Sequence, residues 1–148
     1  MSQSNPDDPK RPTIGVGVVI LRAGTAGLEV LLILRGRPPR QGEWSIPGGR
    51  QQWGETLHET ARREVFEETG VTLGELTLVD VVDAVFRAPG GDVERHLTLI
   101  DYRAAWMNGE PRAGDDAADV RWFPLADLGQ HGIWDETLRV IRAAAAAF

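Results

Sequence analysis

Residues 49–71 read GRQQWGETLHETARREVFEETGV, and no other stretch limits the fold so tightly. Leu57, Ala61 and Val65 recur at i, i+4 and i+8, the apolar stripe of a helix that must lie on a core. The helix predicted here starts near Thr56 and stops at Gly70, a residue type that accepts a left-handed C-terminal cap. Each helical residue turns by about 100°, so Glu64, Glu67 and Glu68 gather on one side, with Glu64 and Glu68 beside the apolar stripe rather than opposite it. Acidic helices are ordinarily solvated faces, and Arg62 and Arg63 supply charge that would balance one here. Two acids at the margin of a core-facing stripe nevertheless need a partner, and three converging carboxylates repel one another unless a cation lies among them. Hard divalent cations take oxygen ligands, and magnesium typically uses about one or two protein carboxylates together with water and substrate phosphates. The helix therefore has the makings of half a metal site whose other half is a phosphate.

The sequence around this helix is rich in strands. Residues 13–21 (TIGVGVVIL) and 28–34 (LEVLLIL) are apolar and β-branched, and the intervening AGTAG makes them a hairpin. Residues 35–47 are polar and rich in Gly and Pro, which predicts a loop running into a turn at Pro47-Gly48-Gly49. Residues 76–86 and 96–106 form a second predicted hairpin around Pro89-Gly90-Gly91. An acidic loop (109–119), a short strand (120–123), one helical turn (125–128) and an alanine-rich helix (134–148) complete the chain. Hairpins interrupted by one central and one terminal helix predict an α+β fold, a mixed sheet flanked by helices as an α/β/α sandwich. Residues 1–12 are expected to be a flexible N-terminal tail, and residues 13–148 a single domain.

Composition removes several chemistries. The 148 residues include no cysteine, which excludes disulfides and thiolate nucleophiles and points to a reducing compartment, the cytoplasm by default. No apolar run approaches the roughly 18 residues of a membrane span, so no membrane partner is expected. A net charge of −6 argues against a nucleic-acid polymer as partner, though a metal ion and a few arginines can still reverse the field around a small anionic substrate. His58-Glu59-Thr60-Ala61-Arg62 begins like the zinc helix HExxH but ends in arginine, and none of Ser2, Ser4 or Ser45 lies in GxSxG. Neither GxGxxG nor a P-loop occurs.

The segment also resembles the signature of the Nudix hydrolases, G-x5-E-x7-R-E-U-x-E-E-x-G-U with U apolar. Here the specified positions are Gly49, Glu55, Arg63, Glu64, Val65, Glu67, Glu68, Gly70 and Val71, and the likeness extends upstream through Trp44, Pro47 and Gly48. The resemblance implies the Nudix fold and hydrolysis of a phosphoanhydride bond with the help of Mg2+, or alternatively Mn2+. It implies that Glu64 and Glu68 are the principal metal ligands, that Glu67 ligates metal or acts as base, and that the main-chain carbonyl of Gly49 is a further ligand. Arg63 and Glu55 match a supporting pair in which the arginine orients carboxylates, although an ordinary salt bridge is the plain alternative.

Family resemblance specifies the leaving group less closely than the bond. It implies a nucleoside diphosphate linked to another moiety, and the loop 110–117 (EPRAGDDA) followed by Arg121-Trp122-Phe123 is similar to that of small bacterial ADP-ribose pyrophosphatases. Pyrophosphohydrolysis of nucleoside triphosphates, oxidised ones included, is the alternative, and a non-catalytic nucleotide-sensing module the minor one. Asp115 and Asp116 are candidates for an extra ligand, a base or a substrate contact, or else a solvated turn. Arg35 and Arg37, with Arg40, are candidate phosphate contacts. Trp44 is a candidate for stacking on a base, with Phe86 and Tyr102 behind it, although aromatics in such places are more often core. Related enzymes often dimerise, and the alanine-rich helix could supply a homodimer surface.

Overall fold

Residues 15–21 are buried on both faces of strand β1 (Thr13–Gly24), as an apolar run in the middle of a sheet must be. One edge of β1 pairs in parallel with β7 (Val93–Asn108) over residues 13–21. Its other edge is divided. Residues 21–24 pair with β2 (Gly27–Arg35), whereas residues 15–17 pair with β4 (Gly48–Arg50). Between the two, the Val18 amide donates to the Pro47 carbonyl at 3.0 Å. The structure, a computed structural model, describes residues 10–38 and 40–148.

The sheet runs β3-β2-β1-β7-β5, where β3 is Trp44–Ser45 and β5 is Thr72–Leu73; β6 (Thr77–Arg87) pairs with β7, and β8 (Ala117–Pro124) pairs with β2. Helix α1 (Leu57–Thr69) lies on one face, where Ala61 and Val65 pack with Val16, Val18, Ile20 and Tyr102. Helix α2 (Asp135–Ala146), preceded by a 3-10 turn at Leu125–Gln130, lies on the other face, where Val140, Ile141 and Ala144 pack with Val19, Leu21, Leu32 and Val82. The alternation along β1 sends even positions to α1 and odd positions to α2. Each fully buried Val, Leu or Ile in these two cores contributes roughly 1.5–3 kcal/mol. The result is the expected mixed sheet between helices.

The predicted helix holds at both ends: Thr56 caps α1 by accepting from the Glu59 amide at 3.1 Å, and Gly70 takes φ 73° at its C-terminus. Both hairpins form, the first with only Thr25 and Ala26 between its strands. Three short elements depart from expectation. Trp44–Ser45 is a strand inside the predicted loop, Gly48–Arg50 is a strand where a turn was expected, and Thr72–Leu73 is paired with β7. Glycine pairs carry no strand propensity, yet Gly48 is required here by close approach: a Cβ on it would overlap the Val16 carbonyl. The strand expected at 120–123 begins earlier, at Ala117. Of the predicted tail, residues 1–9 lie outside the described residues, and residues 10–12 lead into β1 without regular structure.

Candidate active site

The division of β1 between β2 and β4 brings Gly48 and Gly49 against α1. The Gly48 amide donates to Glu68 Oε1 at 2.8 Å, and a Cβ on Gly49 would collide with the Glu64 carboxylate. Glu68 is buried, 5% exposed, beside Val65 and Thr69. Burial pushes its carboxyl up to about 8, the charge of Glu64 adds to the effect, and the Gly48 amide opposes it. Glu64 is also pushed above the usual carboxylate range by burial, with Arg63 pulling the other way.

Arg63 joins the acids into a network. Its Nε and Nη2 donate to the two oxygens of Glu55 at 2.6 and 2.9 Å, and Nη1 reaches Glu64 at 2.6 Å and Glu67 at 3.2 Å. Nη2 also donates to the Arg50 carbonyl at 3.1 Å, fixing α1 to β4. Glu55 in turn accepts from the Gln52 amide and the Thr60 hydroxyl. The Arg63 guanidinium, with the Gln52 amide behind it, holds the Glu55 carboxyl at about 2, so this acid is a fixed anion. Such a planar fork orients carboxylates in a way an ammonium group cannot.

Asp115 arrives from the other end of the chain. The loop before β8 hangs on the C-terminus of α1, where the Arg112 amide donates to Thr69 O and the Gly114 amide to Glu68 O, satisfying carbonyls the helix leaves open. Gly114 passes so near that a Cβ would come 2.5 Å from the Glu67 carbonyl. Asp115 then adopts φ 50°, and one oxygen each from Glu64, Glu67 and Asp115 falls within 4.8 Å of the others. Glu68 adjoins this group from its buried side, close enough that Glu64 and Asp115 both raise its pKa. Hard oxygen donors with more negative charge than Arg63 neutralises fit a divalent cation such as Mg2+ or Mn2+.

A cleft of about 1010 Å³ opens from this acidic group onto the α2 face of the sheet. Gly49, Glu64, Glu68 and Asp115 line one end, and Val82, Ala84, Leu97 and Leu99 from β6 and β7 make an apolar floor. Arg35, Arg37 and Trp44 all line it. Arg37 is tied to Asp116 at 2.9 Å, so Asp116 lines the cleft outside the group of Glu64, Glu67 and Asp115. Trp44 packs edge-on against Phe123, with the Arg121 guanidinium over its ring. Phe86 and Trp134 flank the cleft with Arg40 stacked over Trp134 at 4.3 Å. Tyr102 is not available for stacking, because it lies in the α1 core, edge-on to His58.

Three further residues line this cleft that the sequence reading passed over: Arg50, Arg95 and Asp101. Arg95 is half-buried and is pushed below the usual arginine range by burial, then by the charges of Arg50 and Arg35. Among the described residues no carboxylate pairs with its guanidinium. The available signal was period two, since 95, 97, 99 and 101 alternate along β7 and therefore share a face.

Residues 11–144 match the family model for the NUDIX domain. An ADP-ribose pyrophosphatase from Methanocaldococcus jannaschii is 36% identical over 68% of the chain, which spans 57% of that relative's length. An oxidized purine nucleoside triphosphate hydrolase from Danio rerio is 31% identical over 66% of the chain and 70% of the relative. The NUDIX domain of Shewanella oneidensis NrtR, solved with ADP ribose, superimposes with a TM-score of 0.81 at 26% identity, covering 97% of the chain and 93% of that domain. On these matches the chain belongs to the Nudix hydrolase family, whose named relatives act on acid anhydrides.

Proposed function

We propose that this chain hydrolyses a phosphoanhydride bond in a nucleoside diphosphate linked to another moiety, with ADP-ribose as the favoured substrate. One observation carries the reading: the carboxylates of Glu64, Glu67, Glu68 and Asp115 and the guanidinium of Arg95, which no carboxylate pairs among the described residues, line or adjoin one cleft whose floor is apolar. A carboxylate group alone would repel a diphosphate, and an arginine group alone would only bind it.

Glu64, Glu67 and Asp115, with Glu68 and the Gly49 carbonyl beside them, would hold Mg2+, with Mn2+ as the alternative. A divalent ion bound there supplies neutralisation of phosphate charge and a lowered pKa for bound water. Arg35, Arg50 and Arg95, which line the same cleft, bring positive charge to the phosphate oxygens and keep the bond in line for attack. Arg63, anchored on Glu55, fixes the carboxylates of Glu64 and Glu67 and touches no substrate. Glu67 and Asp115, the two exposed members of the group, have room to accept the proton of the attacking water. The products are AMP and ribose 5-phosphate.

The names of the M. jannaschii relative and of the ADP-ribose complex support this substrate. The zebrafish relative supports a second reading, release of pyrophosphate from an oxidised purine nucleoside triphosphate. Chromatography of magnesium-dependent products separates the two: AMP with ribose 5-phosphate supports the first, and monophosphate with pyrophosphate supports the second. No release from either substrate with any divalent ion argues for a nucleotide-binding module instead. The partner we propose is this small nucleotide, with no polymer of nucleic acid, in keeping with the net charge of −6. No described helix is long and apolar enough to cross a membrane, and the absence of cysteine supports the cytoplasm as the working compartment. A homodimer is supported by the apolar side chains Leu78, Val81 and Val85 exposed on β6, which among the described residues pairs with β7 alone; a monomeric mass in light scattering would remove that assembly.

A further inference from the structure

The floor of the cleft contains one polar group that the chemistry above does not use. Asp101, on β7, is 6% exposed and lines the cleft beside Leu99, Val82 and Val140. Its position is made by a glycine: a Cβ on Gly17 would stand 2.6 Å from Asp101 Oδ1 and 2.8 Å from Ile46 Cδ1. Among the described residues none donates a hydrogen bond to this carboxylate. The charges that face it are Asp80 and Arg139, and Arg139 is already bound to Asp80 at 2.8 Å and to Glu136 at 2.9 Å. Burying a carboxyl without a partner is costly, and sites that tolerate it are commonly completed by a ligand.

What surrounds Asp101 narrows the ligand. Leu97, Leu99, Val82 and Ala84 offer flat apolar contact, the kind of surface that takes the face of a heterocycle, while a single polar group on such a surface fixes which edge is presented. A carboxylate is acceptor-only, so the edge it fits must carry a donor. We infer that Asp101 is a specificity-determining residue that accepts a hydrogen bond from the exocyclic amino group of the nucleobase. Adenine, guanine and cytosine carry such a group; hypoxanthine places an oxo group where adenine has its amine, and carries hydrogen where guanine has its own. An oxo group facing Asp101 sets lone pairs against lone pairs. The inference rests on the cleft being the nucleotide site, as proposed above, and is independent of which anhydride is cut.

The test compares matched bases with and without the amine. Dissociation constants for AMP and IMP, together with KM and kcat for ADP-ribose and its hypoxanthine counterpart, are measured on the wild-type chain, Asp101→Leu and Asp101→Asn. The wild type is expected to favour the adenine member by about 10- to 100-fold in dissociation constant and KM, with kcat little changed, as for a hydrogen bond to a charged group. Asp101→Leu removes the acceptor, and Asp101→Asn accepts or donates by turning its amide, so both should bring the two bases within about threefold. Equal affinity of the wild type for AMP and IMP, binding of neither, or a preference that survives in both variants overturns the assignment. A parallel loss of kcat on both substrates with the preference intact marks a merely structural aspartate and also overturns it. Failure to hydrolyse any anhydride counts against the proposed function alone, because the AMP and IMP constants still read Asp101.

Discussion

On the α1 face of the sheet, charge is dense and held in place by partners: Glu55, Glu64 and Glu67 share Arg63, and Glu68 shares the Gly48 amide. On the α2 face, the floor of the cleft is mostly apolar, and two charged residues of β7 that line it, Arg95 and Asp101, have no ion pair among the described residues. The difference separates two kinds of work. On the function proposed above, carboxylates that would present a fixed geometry to a metal are oriented by protein groups, whereas groups that would read a substrate keep their bonding capacity open until it arrives. Substitutions on the two faces should therefore fail differently, the first in kcat and the second in KM.

The largest effect is expected on the α1 face. Glu64→Gln keeps the shape and an oxygen for Arg63 but removes one negative charge from the ligand group, and charge stabilisation by a bound metal is worth several kcal/mol. Turnover should fall on the order of a thousandfold, while the melting temperature without metal changes little. Magnesium should raise the melting temperature of the wild type and not that of the variant, since only a ligand that binds the folded state stabilises it. A variant that keeps near wild-type turnover at saturating magnesium would remove Glu64 from the site.

The contrast between faces is also a contrast in what a sequence can disclose. Every acid of the α1 network except Asp115 lies within residues 49–71, where helical spacing and caps are local properties, so their convergence could be read directly. The cleft is assembled from β1, β2, β3, β4, β6, β7, both helices and the loops before β3 and β8, and its floor depends on which strands become neighbours. Nothing near Asp101 in sequence states that Gly17 will lie beside it across a parallel pairing 84 residues away. Asp115 shows the intermediate case: the loop was a visible candidate, but its attachment to the end of α1 through Arg112 and Gly114 is a backbone matter that side-chain patterns do not encode. The strand at Gly48–Arg50 was unreadable for the same reason, because its glycines are selected by contact with Val16 and Glu64 rather than by propensity.

A smaller effect, in stability, belongs to the α2 face. Burial, and then the charge of Asp80, raise the Asp101 carboxyl from 3.8 to about 6, with Arg139 opposing. Because the folded form holds its proton more tightly than the unfolded form, the stabilisation is complete below about pH 4 and is lost as pH rises through about 6. Relative to Asp101→Asn, the ligand-free wild type should lose on the order of 3 kcal/mol between pH 4 and 7. Urea titrations of the two proteins at both pH values measure the difference, in which the other titrating groups cancel. A difference that stays constant with pH would mean that Asp101 is solvated or paired.

The smallest effect draws the line between the faces most finely. Arg95 is half-buried near Arg50 and Arg35, so in the free protein its charge is surrounded by like charge and desolvated as well, a position that works against folding. Arg95→Met keeps the length of the stem and its packing while removing that repulsion. The ligand-free melting temperature should therefore stay level or rise slightly. Binding should move the other way, because a phosphate oxygen loses one charge-assisted hydrogen bond, and KM should rise about tenfold with kcat changed less than about twofold. Opposite signs in stability and KM are the signature of a group kept unpaired for a substrate. An arginine serving the fold would give the reverse, a lower melting temperature at unchanged KM, and that result would place Arg95 with Arg63 among the groups that hold the protein rather than the nucleotide.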